Sequence, residues 1–405
     1  MRRTVNGPLR VAMIGSRGVP ATFGGIEHHV EELGARLAAR GNEVTVFCRT
    51  NYTGGGLDTH RGMRLRHLPT AGTKHLDAIA HSALATAVAM RQRFHVLHYH
   101  AIGPGIVAAL PRYASRAGVV LTVHGRDDER AKWGRAARAL LRAAAWSSAR
   151  VPDATVVVSR DLERHYREAH GRQAVYVPNG APAPRPCPPG PALARLGLRP
   201  GGYLLFVGRF VPEKAPDLLL RAYRAVPGQH RLVLAGGSSY TGGYVRALEA
   251  EAARDPRVVM AGYVYGAELD ELYANAAAFV LPSLLEGLPL TLLEAAAHGT
   301  PVVVSGIPPH LEVVAAGGPG RRLVAPGDER SLADAIAAAL ADPVRERTGA
   351  AALRSHVLAA YDWDAAAAAT EALYLALLAG GPVPAPAQAA RDLRLPDQEE
   401  GRLVR

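Results

Sequence analysis

The chain has 405 residues, 48 % apolar and 20 % charged, with 47 basic against 36 acidic side chains and a formal net charge of +11. That length suits two ordinary domains, and the balance suits a globular protein rather than a disordered or fibrous one. No apolar run approaches the roughly 18 residues of a membrane span, the basic start MRRTVNGPLRVAMIG runs into a strand rather than a signal-peptide core, and Cys48 and Cys187 give neither a disulfide framework nor a zinc spacing. A reducing cytoplasm is the expected compartment. Nucleic acid, an anionic membrane face and phosphorylated substrates are all partners that such a charge suits. Only Lys74, Lys132 and Lys214 are lysines, so a surviving Lys214 marks a place where a compact ammonium is preferred over a planar fork.

In chain order, strands are expected at Leu9–Gly15, Glu43–Cys48, Met63–Leu68, His95–Tyr99, Val119–His124, Ala154–Val158 and Ala174–Val177, with a helix over Ile26–Arg40 and further helices between most strands. The Pro- and Gly-dense segment 178–202 reads as a linker. Alternation then resumes, with strands at Tyr203–Val207, Arg231–Ala235, Arg257–Ala261, Ala277–Leu281, Pro301–Val304 and Arg321–Val324. This grammar predicts an α/β protein of two doubly wound Rossmann-like domains facing a central cleft. The expected boundaries are 1–181 for the first domain, 182–202 for the linker, 203–360 for the second domain, 361–378 for a C-terminal helix and 379–405 for a disordered tail.

In open parallel sheets ligands sit beyond the carboxyl ends of the strands, so the loops there carry the candidates. After the first strand, Gly24 and Gly25 open a helix and let backbone approach a ligand closely. The loop is not GxGxxG, so no nicotinamide cofactor is indicated. His124 ends a strand. Arg209 and Lys214 flank a strand-to-helix loop and could neutralise a diphosphate. Glu286 precedes a helix N-terminus and Glu294 lies about one turn inside that helix. Such a terminus attracts phosphate, and two carboxylates beside it can grip sugar hydroxyls. The chemistry suggested is the handling of a sugar attached to a diphosphate.

Other features have plainer readings. His95, His98 and His100 resemble a metal cluster, but strand alternation puts His98 and His100 on one face and His95 on the other. His28 and His29 are adjacent on a helix and point apart. Asp362-Trp363-Asp364 has the DxD form of a metal-binding motif, yet it opens an alanine-rich helix where Asp is a good N-cap; no metal is expected. Residues 130–150 form a basic helix without an acidic residue, with Arg135, Arg138 and Arg142 at helical spacing and Trp133, Leu140, Leu141 and Trp146 as apolar surface. It suits either an anionic membrane face or ordinary packing on the sheet.

The motifs FGGIEHHVEEL (23–33), VVLTVHG (119–125), VVVSRDL (156–162), VPNGA (177–181), VGRFVPEK (207–214), AGYV (261–264) and the E-x7-E segment 286–294 occur in that order. The chain from Leu9 to about Leu378 thereby resembles the retaining glycosyltransferases of family 4, with their two-domain B-type fold. GSRGVPATFGGIE further resembles bacterial polysaccharide and rhamnosyl-type transferases. The resemblance implies that Gly24 and Gly25 approach the diphosphate or acceptor and that His124 contacts the donor sugar. Arg209 and Lys214 would hold the diphosphate, and Val264 would meet the base through its backbone. Glu286 would bind sugar hydroxyls, aided by N–H groups from Gly287 and Leu288 to Leu290, and Glu294 would bind the ribose. It implies a nucleoside-diphosphate sugar as donor substrate, a saccharide or lipid-linked acceptor in envelope or exopolysaccharide synthesis, and no cofactor. The basic helix and net charge suit a lipid-linked acceptor and peripheral contact with the inner membrane face, while scattered arginines and only 6 % aromatic residues give no stacking platform, so no nucleic-acid partner is expected. The rivals are a nucleotide-sugar epimerase on the same fold and a non-catalytic sugar-nucleotide-binding module.

Overall fold

The computed structural model describes residues 7–381, except 23, 54–55, 71–76, 127–134, 184 and 238–241. Lys74, Lys132, Trp133 and the tail from residue 382 therefore lie outside the described residues, as do the side chains of 135–141.

The first sheet holds β1 (Arg10–Ile14), β2 (Glu43–Arg49), β3 (Thr59–His60), β4 (Met63–Leu68), β5 (Val96–His100), β6 (Gly118–Val123), β7 (Ala154–Val157) and β8 (Val175–Tyr176), in the order β3-β4-β2-β1-β5-β6-β7-β8. The second holds β9 (Tyr203–Val207), β10 (Arg231–Ala235), β11 (Val258–Gly262), β12 (Ala278–Leu281), β13 (Val302–Ser305) and β14 (Arg321–Val324), ordered β11-β10-β9-β12-β13-β14. Every pairing is parallel except β3 with β4. The central strands are apolar runs such as AFVL and YLLFV, buried along their whole length. That is the composition a parallel sheet needs when helices cover both faces.

Both sheets reverse their winding order, the first between β1 and β5, the second between β9 and β12. Adjacent loops diverge at such a switch and leave a crevice. The crevices are bounded by the loops after β1 and β5 in one domain and after β9 and β12 in the other. These loops carry Gly24 and Gly25, Arg209 and Lys214, and Glu286.

The structure adds two elements to those expected. The two-residue β3 carries no periodicity by which sequence could mark it. The segment expected as a plain linker contains a helix, Pro191–Leu196, opened by Pro and closed by Gly197 in the left-handed region at φ 62°. Its N-terminal amides are held by the second domain, since Glu271 accepts from Gly190 N (2.8 Å), Ala192 N (3.1 Å) and Leu193 N (2.9 Å). The helix Trp363–Ala379 returns to the first domain. There Glu371 accepts from Arg40 Nε (2.7 Å) and Asn42 Nδ2 (2.6 Å), and Trp363 joins the first-domain core. Asp362 caps that helix by accepting from Asp364 N at 2.7 Å, as the plainer reading expects.

Candidate active site

The loop after β9 runs Gly208-Arg209 into a short 3-10 turn, Pro212–Lys214. The turn aims Lys214 back across the crevice at the loop after β12. Its Nζ donates to Glu286 Oε1 at 2.6 Å, and Ser283 Oγ donates to the same oxygen at 2.8 Å. The two charged side chains are only 14 % and 10 % exposed. Burial alone would raise the Glu286 pKa; the Lys214 ammonium, with His310 and Ser283 assisting, outweighs it and holds the carboxyl below its ordinary range. The Glu286 carboxylate thus keeps its charge although buried, and a second anion would meet the Lys214 side chain already in position. Arg209 is half-buried on the same loop.

The segment after Glu286 is pressed against the first domain. Gly287 is buried, and a Cβ built on it would lie 2.7 Å from the His124 carbonyl carbon and 3.2 Å from Gly125 Cα. Only glycine permits that approach. Leu288 is 5 % exposed. Leu290 opens the helix Leu290–Ala297, packs against the first-domain core, and lies 3.8 Å from the Cβ position of Gly25. The predicted Gly24–Gly25, His124 and 286–290 groups therefore meet at one seam. Glu294 sits on that helix, where one carboxylate oxygen accepts from Tyr273 Oη at 2.8 Å and the other lies 4.0 Å from His28 Nε2 of the first domain. Val264 follows β11 with its side chain buried, and Tyr263 and Tyr265 on either side are exposed, their rings parallel within 10° at 6.0 Å.

His124 begins the loop after β6. Behind it the structure gathers imidazoles that spacing alone grouped differently. His95 leaves the cluster and accepts from Arg10 N at 3.0 Å through Nδ1. His29, from the helix Gly25–Ala39, joins instead: the ring centroids of His29 and His124 are 4.6 Å apart, and His100 Nδ1 lies 3.3 Å from His124 Nε2. His29, His100 and His124 offer ligand atoms within 4.8 Å of one another, a donor set that could hold a transition metal. Burial pushes His29 down to about 4 and His98 to about 3, and holds His100 and His124 well below their ordinary value. Asn179, within the VPNGA motif, also belongs to the seam: it is 4 % exposed and donates through Nδ2 to the Leu288 carbonyl at 3.2 Å, a partner that no local spacing specifies.

Two family models cover these halves: residues 23–183 match Glycosyltransferase Family 4, and residues 201–342 match Glycosyl transferases group 1. A D-inositol 3-phosphate glycosyltransferase from Kineococcus radiotolerans is 32 % identical over 400 residues, covering 87 % of this chain and 90 % of that protein. The chain belongs to the family 4 glycosyltransferases. Among solved structures, sucrose-phosphate synthase from Thermosynechococcus elongatus superposes with a TM-score of 0.79 at 26 % identity, covering 92 % of this chain and 100 % of that one. Anabaena HepE in complex with UDP-glucose gives 0.73 at 18 % identity, over 89 % and 97 % of the two chains. The expected B-type fold is therefore present. In this glycosyltransferase, no helix of the described residues is long and apolar enough to cross a membrane.

Proposed function

We propose that this glycosyltransferase moves a hexosyl or deoxyhexosyl unit from a nucleoside-diphosphate sugar to a saccharide or lipid-linked acceptor, with retained configuration, in envelope or exopolysaccharide synthesis. One observation carries the reading: the Lys214 ammonium and Glu286 carboxylate are paired at 2.6 Å in the switch-point crevice, facing the seam at His124. The donor's diphosphate lies against Lys214, Arg209 and the N–H groups of Gly287 to Leu290. Glu286 takes sugar hydroxyls with its second oxygen, Glu294 takes the ribose, and Val264 meets the base through its backbone. His124, kept neutral by burial, faces the reacting sugar. The leaving phosphate oxygen accepts the acceptor proton on the face from which it departs, so the protein supplies position and charge stabilisation rather than a nucleophile. HepE, solved with UDP-glucose on the same fold, makes a uridine diphosphate sugar the first donor to try.

The acceptor is proposed from the first-domain surface. On the helix Arg135–Arg150, Ala144, Ala145, Ser148 and Ala149 face inward, while Arg142 is exposed and Trp146, 55 % exposed, lies 4.5 Å under the Arg150 guanidinium. Nearby in sequence, Leu110 and Tyr113 are 54 % and 77 % exposed. Aromatic and aliphatic groups set among arginines suit the interface of an anionic leaflet.

The test is a panel of nucleotide sugars with purified protein, lipid-linked saccharides and anionic vesicles, followed by NMR of the product's anomeric centre. Release of nucleoside diphosphate only when acceptor is present, with retained configuration, is expected. Inverted product or interconversion of the donor sugar without acceptor would overturn the reading.

A further inference from the structure

A hydrogen-bonded chain crosses the cleft through Asn179. Its Nδ2 donates to the Leu288 carbonyl of the second domain at 3.2 Å, which leaves Oδ1 facing His29 Nδ1 of the first domain at 2.8 Å. The opposite amide orientation would set two oxygens against each other, so this one is fixed by chemistry. An amide oxygen only accepts, and His29 must therefore carry its proton on Nδ1 and present a bare Nε2. The His29 ring stands edge-on to His124 at an interplanar angle of 80°. From the other side His124 Nε2 meets His100 Nδ1, and the His100 ring lies 4.3 Å from that of His98. His98 is pinned at both nitrogens, by Tyr374 Oη at 2.6 Å and Thr122 Oγ1 at 2.7 Å. Trp363 closes the far side of His29, its ring centroid 5.6 Å away.

We propose that Asn179 is a positioning residue for sugar transfer: its carboxamide ties the 286–290 loop to His29, and through that ring to His124, so that closing the two domains and aligning His124 are one event. The inference rests on the donor-site reading above. Both hydrogen bonds of Asn179 are buried and directional, and the His29 ring carries their constraint to His124 through an edge-on contact. Leu288 follows Gly287, the residue pressed on the His124 carbonyl, so the bond to Asn179 acts at the point where a small displacement is felt by both domains. Removing the carboxamide leaves each domain's core intact and loosens only their registration.

The decisive experiment compares wild type with Asn179→Leu, His29→Phe and the double variant. Spin labels go on Tyr113→Cys and Val344→Cys, each 77 % exposed and one in each domain, in a Cys187→Ser background. One narrow interdomain distance is expected for wild type, and a longer, broader distribution for either single variant with no further change in the double, because the two residues act in series. With a competent donor, kcat falls about 10- to 100-fold while the affinity for UDP changes less than about threefold. An unchanged distance distribution, an additive double variant, or UDP affinity lost in step with kcat would overturn the proposal. So would one transition-metal ion per chain retained through purification, since a metal on His29 and His124 would hold those rings itself. If wild type turned over no donor at all, the functional reading would fall, while the distance measurement would still decide the latch.

Discussion

Replacing Gly287 by alanine places a Cβ 2.7 Å from the His124 carbonyl carbon and 3.2 Å from Gly125 Cα. Carbon atoms pack comfortably at about 3.5 Å or more, and the His124 carbonyl oxygen lies closer to that Cβ than either carbon, so either the loop withdraws or the domains part by at least about 1 Å. Neither obstacle is a flexible side chain that could swing away; both are backbone at the end of β6. A misplacement of about 1 Å costs about 100-fold in rate, or about 2.7 kcal/mol of barrier. The collision crosses the cleft and touches neither domain's core, so the thermal midpoint should move by only a few degrees. The assay measures kcat, the donor KM and calorimetric UDP affinity side by side in wild type and Gly287→Ala. The expected pattern is a large loss of kcat at modest cost in nucleotide affinity. Wild-type kcat in a well-folded Gly287→Ala protein would refute the reasoning, because it would mean that the seam between loop and His124 is not the working geometry.

Further outcomes follow from the buried charges. Lys214→Met strips Glu286 of the ammonium that keeps its carboxyl low, leaving burial to dominate; transfer should fall by at least about 10³-fold, and any residual activity should lose its acid limb at higher pH than wild type, read from kcat/KM between pH 5 and 9. Burial pushes the Glu312 carboxyl up to about 7 against opposing hydrogen bonds from Tyr176 Oη and Arg160 N. The folded state therefore holds an extra proton between the ordinary carboxylate range and pH 7, and stability falls as pH rises through that window. Glu312→Gln should be more stable than wild type by about 1–3 kcal/mol at pH 8 and equal to it near pH 5, measured by urea titration at both; a pH-independent difference would sink this account. Gly180→Ala sets a Cβ 2.6 Å from Trp363 Cδ1, and overpacking of this kind costs about 1–3 kcal/mol; a lowered thermal midpoint is expected, and an unchanged one would refute the packing argument.

Much of this protein was readable from its residues in order. Central strands of parallel sheets are short apolar runs closed by Gly or Pro, and here Tyr203–Val207 and Arg231–Ala235 fall where that pattern places them. The positions of Lys214 and Glu286 after adjacent strands followed from the same local signals, because a strand's end and a helix's start are set by neighbours in sequence.

What tertiary structure alone decided is which distant groups share a space. His29, His100, His124 and Asn179 come from a helix, two strand ends and an interdomain segment, and Asn179 is 150 residues from His29. Local pattern instead grouped His95 with His98 and His100, and alternation could only exclude one member. The helix Pro191–Leu196 was hidden by its own Pro and Gly content, because its amides are satisfied by Glu271, some eighty residues on. Sequence separation erases such information: periodicity reports the face a side chain occupies, while the partner on that face is chosen by how sheets, crossovers and the returning C-terminal helix pack.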